Sequence, residues 1–432
     1  MSKKNKDILV LGAALFSMFF GAGNLIFPPY LGMIAGHKWI IAVIGFLLTG
    51  VGLPFLGIVA SSKAGGDVDK LGRKVSPAFA KFLGITIVIS IGPLLAIPRT
   101  GATAFEMGGQ QLFPGLSPVI FAIIFFAINL YFVISPSDVM DKIGKILTPA
   151  LFALLTLLIV KGVVTPIGIL AENTLDNSFS YGFLEGYQTM DALAAILFGG
   201  VVTASLVQYG YTEEKEKMSM TVKAGMVAIL GLAFVYGGLG YLGATAGSLY
   251  TADIDRTTLI MNISNHVLGG FGRYGLGLAV MLACLTTSVG LTATAGQYFD
   301  QISNGKLNYR IVVIATSVFS AVMSCIGVES IISLAGPILG FMYPIVMVLI
   351  LLTVFLDKYI ANENVYKFAI YAALIVSAIE SLTIFGIGEG LTNIISKFPL
   401  ASSGFAWLLP AIIGGIIGNF VPSKTSEDVS GA

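Results

Sequence analysis

Ser17 to Pro29 reads Ser-Met-Phe-Phe-Gly-Ala-Gly-Asn-Leu-Ile-Phe-Pro-Pro inside a long apolar run. Glycine weakens helices and reaches backbone angles other residues avoid. Gly21, Ala22 and Gly23, followed by Asn24, are therefore expected to interrupt a helix. A helix broken there leaves N–H groups and a positive dipole end on one half, and carbonyls on the other. The N–H groups suit the carboxylate of an amino acid, and the carbonyls suit a small hard cation. The other reading of these glycines is a small-residue surface for helix packing. Far along the chain, Cys284-Leu-Thr286-Thr287-Ser288-Val-Gly290 brings three adjacent hydroxyls. They either offer neutral oxygens to Na⁺ or bond carbonyls of their own helix one turn back.

Arg99 sits in Gly92-Pro93-Leu-Leu-Ala-Ile-Pro98-Arg99-Thr100-Gly101, within an apolar stretch. An intramembrane arginine pairs or faces water. Glu106 and Asp191 are its candidate partners, in an outer ion pair or beside a bound substrate. Asp191 also fits the cap of a helix. Glu329 and Glu380 receive no role. The two histidines, His37 and His266, fall in connecting segments, and Cys284 and Cys325 fall in apolar runs as reduced core residues. Metal cages and nucleophile–base constellations have almost nothing to draw on.

The elements that must position these residues follow from composition. Of 432 residues, 56% are hydrophobic and 11% charged, against about 25% charged in ordinary soluble domains. So little charge cannot cover a soluble globule, and a net charge of +1 gives no field for a polyanion. A cytosolic enzyme and a nucleic-acid binder are excluded, and the partner implied is the lipid bilayer. Spanning helices need about 20 apolar residues. Twelve are expected, near 8–34, 39–61, 82–106, 117–135, 144–163, 188–210, 219–247, 272–299, 310–327, 333–356, 366–386 and 404–421. With the N-terminus inside, the inner segments hold eighteen of the 24 Lys and Arg and the outer segments five, leaving Arg99 within a span. That bias supports twelve spans with both termini cytoplasmic.

Span six carries Phe198-Gly199-Gly200-Val201, a second mid-membrane glycine pair five spans after the first. Five is odd, so the second set of five spans has inverted orientation, and paired broken helices in such a repeat mark a transporter site. The organisation expected is residues 1–163 as the first half, 164–356 as the second, and 357–432 as two extra helices with a short tail at 423–432. The outer connection at 248–271 holds an amphipathic stretch, Thr258–His266, which reads as a surface lid or as a packed external helix.

Three motifs carry a resemblance: Phe19-Phe20-Gly21-Ala22-Gly23-Asn24-Leu-Ile-Phe-Pro28, the Gly92-Pro93…Pro98-Arg99-Thr100-Gly101 stretch, and Tyr187-Gln-Thr-Met-Asp191-Ala-Leu…Phe198-Gly199. Together they resemble the bacterial branched-chain amino acid:cation symporters, the system II carriers, over essentially the whole chain. The resemblance implies a LeuT-like 5+5 inverted repeat with helices 1 and 6 broken, in the bacterial cytoplasmic membrane. It implies Na⁺-coupled uptake of leucine, isoleucine and valine by alternating access, with no organic cofactor and no obligatory protein partner. Carried over residue by residue, it implies a Na⁺ held by backbone carbonyls near Ser17, Phe20 and Cys284 and by the hydroxyls of Thr287 and Ser288. The substrate would meet Gly21, Ala22, Gly23 and Asn24, with Phe198, Gly199 and Val201 around its side chain. The LeuT-like pattern has an arginine before its Phe-Pro that this sequence lacks, and Arg99 is expected to serve instead.

A pocket of Phe, Val, Ala and Gly agrees with that substrate class. It takes an aliphatic side chain by burial, at about 25 cal/mol per Å². One methylene discriminates by only about 1–3 kcal/mol, so Leu, Ile and Val should be accepted together. A proton-coupled carrier of the same fold is the alternative, against which the scarcity of histidine and mid-membrane carboxylates argues.

Overall fold

The structure, a computed structural model, describes residues 2–21, 23–134, 138–172, 174–383 and 389–422. Ala22 and the expected tail at 423–432 lie outside the described residues. Among the described residues the regular elements are all helical, with no strand. Among the described residues, eight helices are long and apolar enough to cross a membrane, and three shorter apolar ones accompany them at Pro118–Ile134, Tyr309–Ser324 and Leu408–Phe420. Each expected span falls on one or more helices.

Packing divides the chain into two compact units. The first comprises Met1–Val51, Ile87–Met190 and Ala224–Ala335. The second comprises Gly52–Thr86, Asp191–Lys223 and Gly336–Ala432. The units take alternate stretches of chain.

In the first unit, span one is two helices, Lys3–Phe19 and Gly23–Ala35. Phe20 closes the first with its N–H on Phe16 O, and its ψ of 81° takes the chain out of helix. The second half packs against Glu214–Ala246 backbone to backbone: a Cβ on Gly32 would stand 1.9 Å from Gly240 O. Only glycine allows that approach. Span three is kinked at Gly92, whose ψ of −121° is non-helical, next to Pro93, which has no N–H to donate. The kink separates Pro77–Ile89 from Ala96–Ala104, the short helix that carries Arg99.

Span six is also broken, though not at its glycine pair. Helix Ser178–Glu185 runs into a tight turn at Gly186–Thr189, Met190 takes a left-handed φ of 62°, and Asp191–Gln208 then runs unbroken through Gly199 and Gly200. The stretch at 164–187, expected to be a connection, thus supplies the helix before the break. Gly199 and Gly200 belong to the second unit, where they allow close packing. A Cβ on Gly199 would stand 2.3 Å from Ser61 Oγ, and one on Gly200 would stand 2.7 Å from Gly66 O.

The second unit centres on Leu53–Lys63 against Asp191–Gln208 and on Asn364–Thr383 against Leu408–Phe420. Lys63 Nζ donates to Val354 O at 2.7 Å, where the backbone loosens into a π-helical turn. Asp357 pairs with Lys74 and accepts from the Tyr366 hydroxyl at 2.7 Å.

Candidate functional site

Everything at the break of span one turns on diverted donors. Gly21 N–H goes to Phe19 O at 2.9 Å and Asn24 N–H goes to Gly21 O at 3.1 Å. In an unbroken helix these two donors would serve Ser17 O and Phe20 O, four residues back. The carbonyls of Ser17 and Phe20 therefore lose their customary donors. The Ser17 hydroxyl is engaged with Thr148 Oγ1 at 2.8 Å, so the carbonyl is what Ser17 has to offer. Asn24, 2% exposed, donates from Nδ2 to Phe19 O at 2.9 Å and to the Tyr236 hydroxyl.

Arg99 comes to this break from the kinked helix of span three. Its guanidinium packs on Gly23, where a Cβ would stand 2.7 Å from Nη2. Nη1 donates to Gln188 O at 2.6 Å, in the turn that precedes Met190. The Phe27 ring lies beneath, 5.4 Å from Arg99 Cζ. The structure thus brings Gly23, Arg99 and the backbone of the span-six break together within the first unit.

Glu106, named as a possible partner of Arg99, is engaged elsewhere. Oε2 accepts from Thr257 Oγ1 at 2.7 Å and Oε1 from Val328 N–H at 2.9 Å. The π-helical turn at Phe105–Gly109, which begins between the two residues, sets their side chains on different neighbours. Asp191, 7% exposed, is the first residue of helix Asp191–Gln208.

On helix Arg256–Ile302 the three hydroxyls part company. Thr286 Oγ1 bonds Ala283 O at 2.9 Å in its own helix. Ser288 is fully buried, and its Oγ has no hydrogen-bond partner among the described residues. Thr287 is half-buried and its hydroxyl likewise returns to no carbonyl of the helix. Cys284 is buried and free. Among the described residues, neither Thr287 nor Ser288 makes a hydrogen bond to span one. In the second unit, Phe198 is half-buried and Val201, one turn on from Phe198, is 52% exposed.

One constellation has no counterpart in the sequence reading. Arg256 donates to Glu185 Oε1 at 3.0 Å and to Glu329 Oε2 at 2.5 Å, and its backbone N–H reaches Glu329 Oε1 at 2.9 Å. The Tyr30 ring covers its Cζ at 4.2 Å. Partners 71 and 73 positions away leave no local signal. This clamp holds the start of the amphipathic segment, which is helical to a kink at Gly269 with Leu259, Ile260 and Ile263 buried. Beside it opens a polar cavity of about 450 Å³, lined among others by Glu106, Asp255, Asn262 and Arg273 and by none of the residues at the span-one break.

The family described as branched-chain amino acid transport protein matches residues 4–425. The branched-chain amino acid permease BraB of Bacillus subtilis (strain 168) is 39% identical, over 98% of each chain. The permease BrnQ of the same organism is 36% identical, over 97% of this chain and 98% of its own. Among solved structures, Mhp1, a nucleobase-cation-symport-1 family transporter in a closed conformation, superposes with a TM-score of 0.60 at 13% identity, covering 95% of this chain and 91% of its own. A Na⁺-coupled sialic acid symporter in a substrate-bound outward-open state gives 0.55 at 14% identity, covering 96% and 91%. These two likenesses concern the fold, which is that of the LeuT-like transporters.

Proposed function

The chain belongs to the branched-chain amino acid transport protein family, and we propose that it carries leucine, isoleucine and valine into the cell by Na⁺-coupled symport. It is a multi-pass membrane transporter and not an enzyme. In this reading both termini are cytoplasmic and the two five-helix repeats, 1–163 and 164–356, alternate access to a central site. The substrate carboxylate meets the unwound Gly21-Ala22-Gly23 stretch. Na⁺ takes the carbonyls of Ser17, Phe20 and Cys284 and the hydroxyls of Thr287 and Ser288.

The observation that carries the reading is the pair of carbonyls, Ser17 and Phe20, whose donors are diverted at the break. A buried carbonyl without a donor is costly unless another positive group takes it. The unpartnered hydroxyl of buried Ser288 adds an oxygen of the same neutral kind. Coupling then follows from differential affinity: an ion that binds one conformation better shifts the population toward it.

The experiment is uptake of labelled leucine into proteoliposomes, with an inward Na⁺ gradient or with choline in its place. Accumulation that requires Na⁺ and is competed by isoleucine and valine is expected. Equal accumulation in choline, driven by an imposed pH gradient, would replace Na⁺ by the proton.

A further inference from the structure

Tyr236 touches both sides of the break in span one and has no part in the roles above. It lies on helix Glu214–Ala246 and is fully buried. Its ring stacks on Phe20, the residue that ends the first half-helix, with centroids 6.4 Å apart. Phe46 meets the same ring edge-on at 5.5 Å. Its hydroxyl receives Asn24 Nδ2 from the second half-helix. The same Nδ2 donates to Phe19 O. A carbonyl only accepts, so this contact fixes which end of the Asn24 amide is nitrogen. The oxygen end is then turned to the unwound stretch: Oδ1 lies 3.8 Å from the place a Cβ would take on Gly21.

The consequence runs through the backbone. Asn24 Nδ2 and Gly21 N–H converge on Phe19 O. That convergence folds the chain so that Gly21 N–H cannot serve Ser17 O, and so that Asn24 N–H serves Gly21 O instead of Phe20 O. The carbonyls that lose these donors, Ser17 O and Phe20 O, are the two of span one assigned to Na⁺. We infer that Tyr236 is a positioning residue for the coupling ion. Its hydroxyl holds the Asn24 amide, the amide holds Phe19 O, and Phe19 O sets the turn that presents Ser17 O and Phe20 O. The inference rests on the Na⁺ reading above.

Tyr236→Phe removes the hydroxyl and keeps the ring. In proteoliposomes the Na⁺ concentration for half-maximal leucine uptake should rise about threefold to tenfold, the range one net hydrogen bond supplies. The leucine KM at saturating Na⁺ should stay unchanged. In purified protein without leucine, the rise in melting temperature with Na⁺ should shift to higher Na⁺ concentration. Phe46→Leu, which loosens the ring and leaves the hydroxyl, should lower the melting temperature and keep the Na⁺ half-saturation of the wild type. An unchanged Na⁺ half-saturation in Tyr236→Phe overturns the inference, as does an equal shift in Phe46→Leu. A wild type indifferent to Na⁺ overturns the symport reading and this inference together, whereas a Na⁺-dependent wild type with an indifferent variant overturns this inference alone.

Discussion

The Arg99 guanidinium donates to the Gln188 carbonyl at 2.6 Å while lying against Gly23, so one side chain ties the unwound stretch of span one to the turn that interrupts span six. Two backbone irregularities are held in register by a group that is charged at every working pH. Arg99→Ala should lower labelled leucine uptake by about tenfold to a hundredfold, the scale of a charge-assisted hydrogen bond. Arg99→Lys should recover little of it, because an ammonium lacks the planar fork that spans two contacts. Unchanged uptake in Arg99→Ala, at equal expression, would falsify the bridging role.

Gly199 is a packing residue of the second unit, and its substitution should read as a clash. The Cβ of Gly199→Ala would meet Ser61 Oγ at 2.3 Å and Ser61 Cβ at 2.4 Å. Overpacking of this kind costs about 1–3 kcal/mol. Ser61→Gly removes both opposing atoms, at the loss of the Ser61 Oγ bond to Ile196 O at 2.7 Å. Thermal unfolding of the detergent-purified double variant should therefore return part of the stability lost in Gly199→Ala. A double variant no more stable than Gly199→Ala would argue for a backbone requirement at this position instead.

The Arg256 clamp should respond unequally to its two acids. The Glu185 side chain is 10% exposed and the Glu329 side chain 36%. Removing one partner of a buried pair costs roughly 3–5 kcal/mol, and an exposed pair is worth about 1 kcal/mol or less. Glu329 offsets part of that difference through its second bond, to the Arg256 backbone N–H. Glu185→Gln should still lower the melting temperature more than Glu329→Gln. The reverse order would mean that the backbone contact, not the buried charge, carries the clamp.

Much of this arrangement was legible in the residues, and the failures have physical causes. Gly21, Gly23 and Asn24 announced a break because two glycines and an amide in hydrocarbon have few other uses. Gly199 and Gly200 looked equivalent, yet a glycine pair serves a break and a close helix contact equally well, and only the opposing Ser61 and Gly66 decide between them. The break of span six sits at Met190, a residue with no intrinsic preference for a left-handed φ. Its only local sign is Asp191, which opens the next helix. The Arg256 clamp depends on contacts far apart in sequence, for which a single chain offers no pattern. Glu106 lies near Arg99 in sequence but engages Thr257 and Val328 instead, because the loosened turn at Phe105–Gly109 alters the facing that a straight helix would give.

The hydroxyls of span eight allow a test that neighbouring residues control for each other. Thr286, Thr287 and Ser288 are consecutive, so any general effect of alanine substitution on the helix should be similar in all three. Their engagements differ. Thr286 Oγ1 is committed to Ala283 O at 2.9 Å, Ser288 Oγ is buried without a partner, and Thr287 leaves its own helix's carbonyls alone. If the last two supply oxygens to Na⁺, Thr287→Ala and Ser288→Ala should each raise the Na⁺ half-saturation of leucine uptake by about tenfold or more, since each ligand lost leaves the ion's charge less compensated in a low-dielectric interior. Thr286→Ala should leave it where it is. Ser288→Ala also removes an unsatisfied buried hydroxyl, so in Na⁺-free buffer that variant should be as stable as the wild type or slightly more so. Its deficit should emerge only as Na⁺ is added and the wild type gains stability that the variant cannot. The same Na⁺ response in all three variants would remove Thr287 and Ser288 from the ion site and leave the carbonyls of span one as its only proposed ligands from that pair of helices besides Cys284.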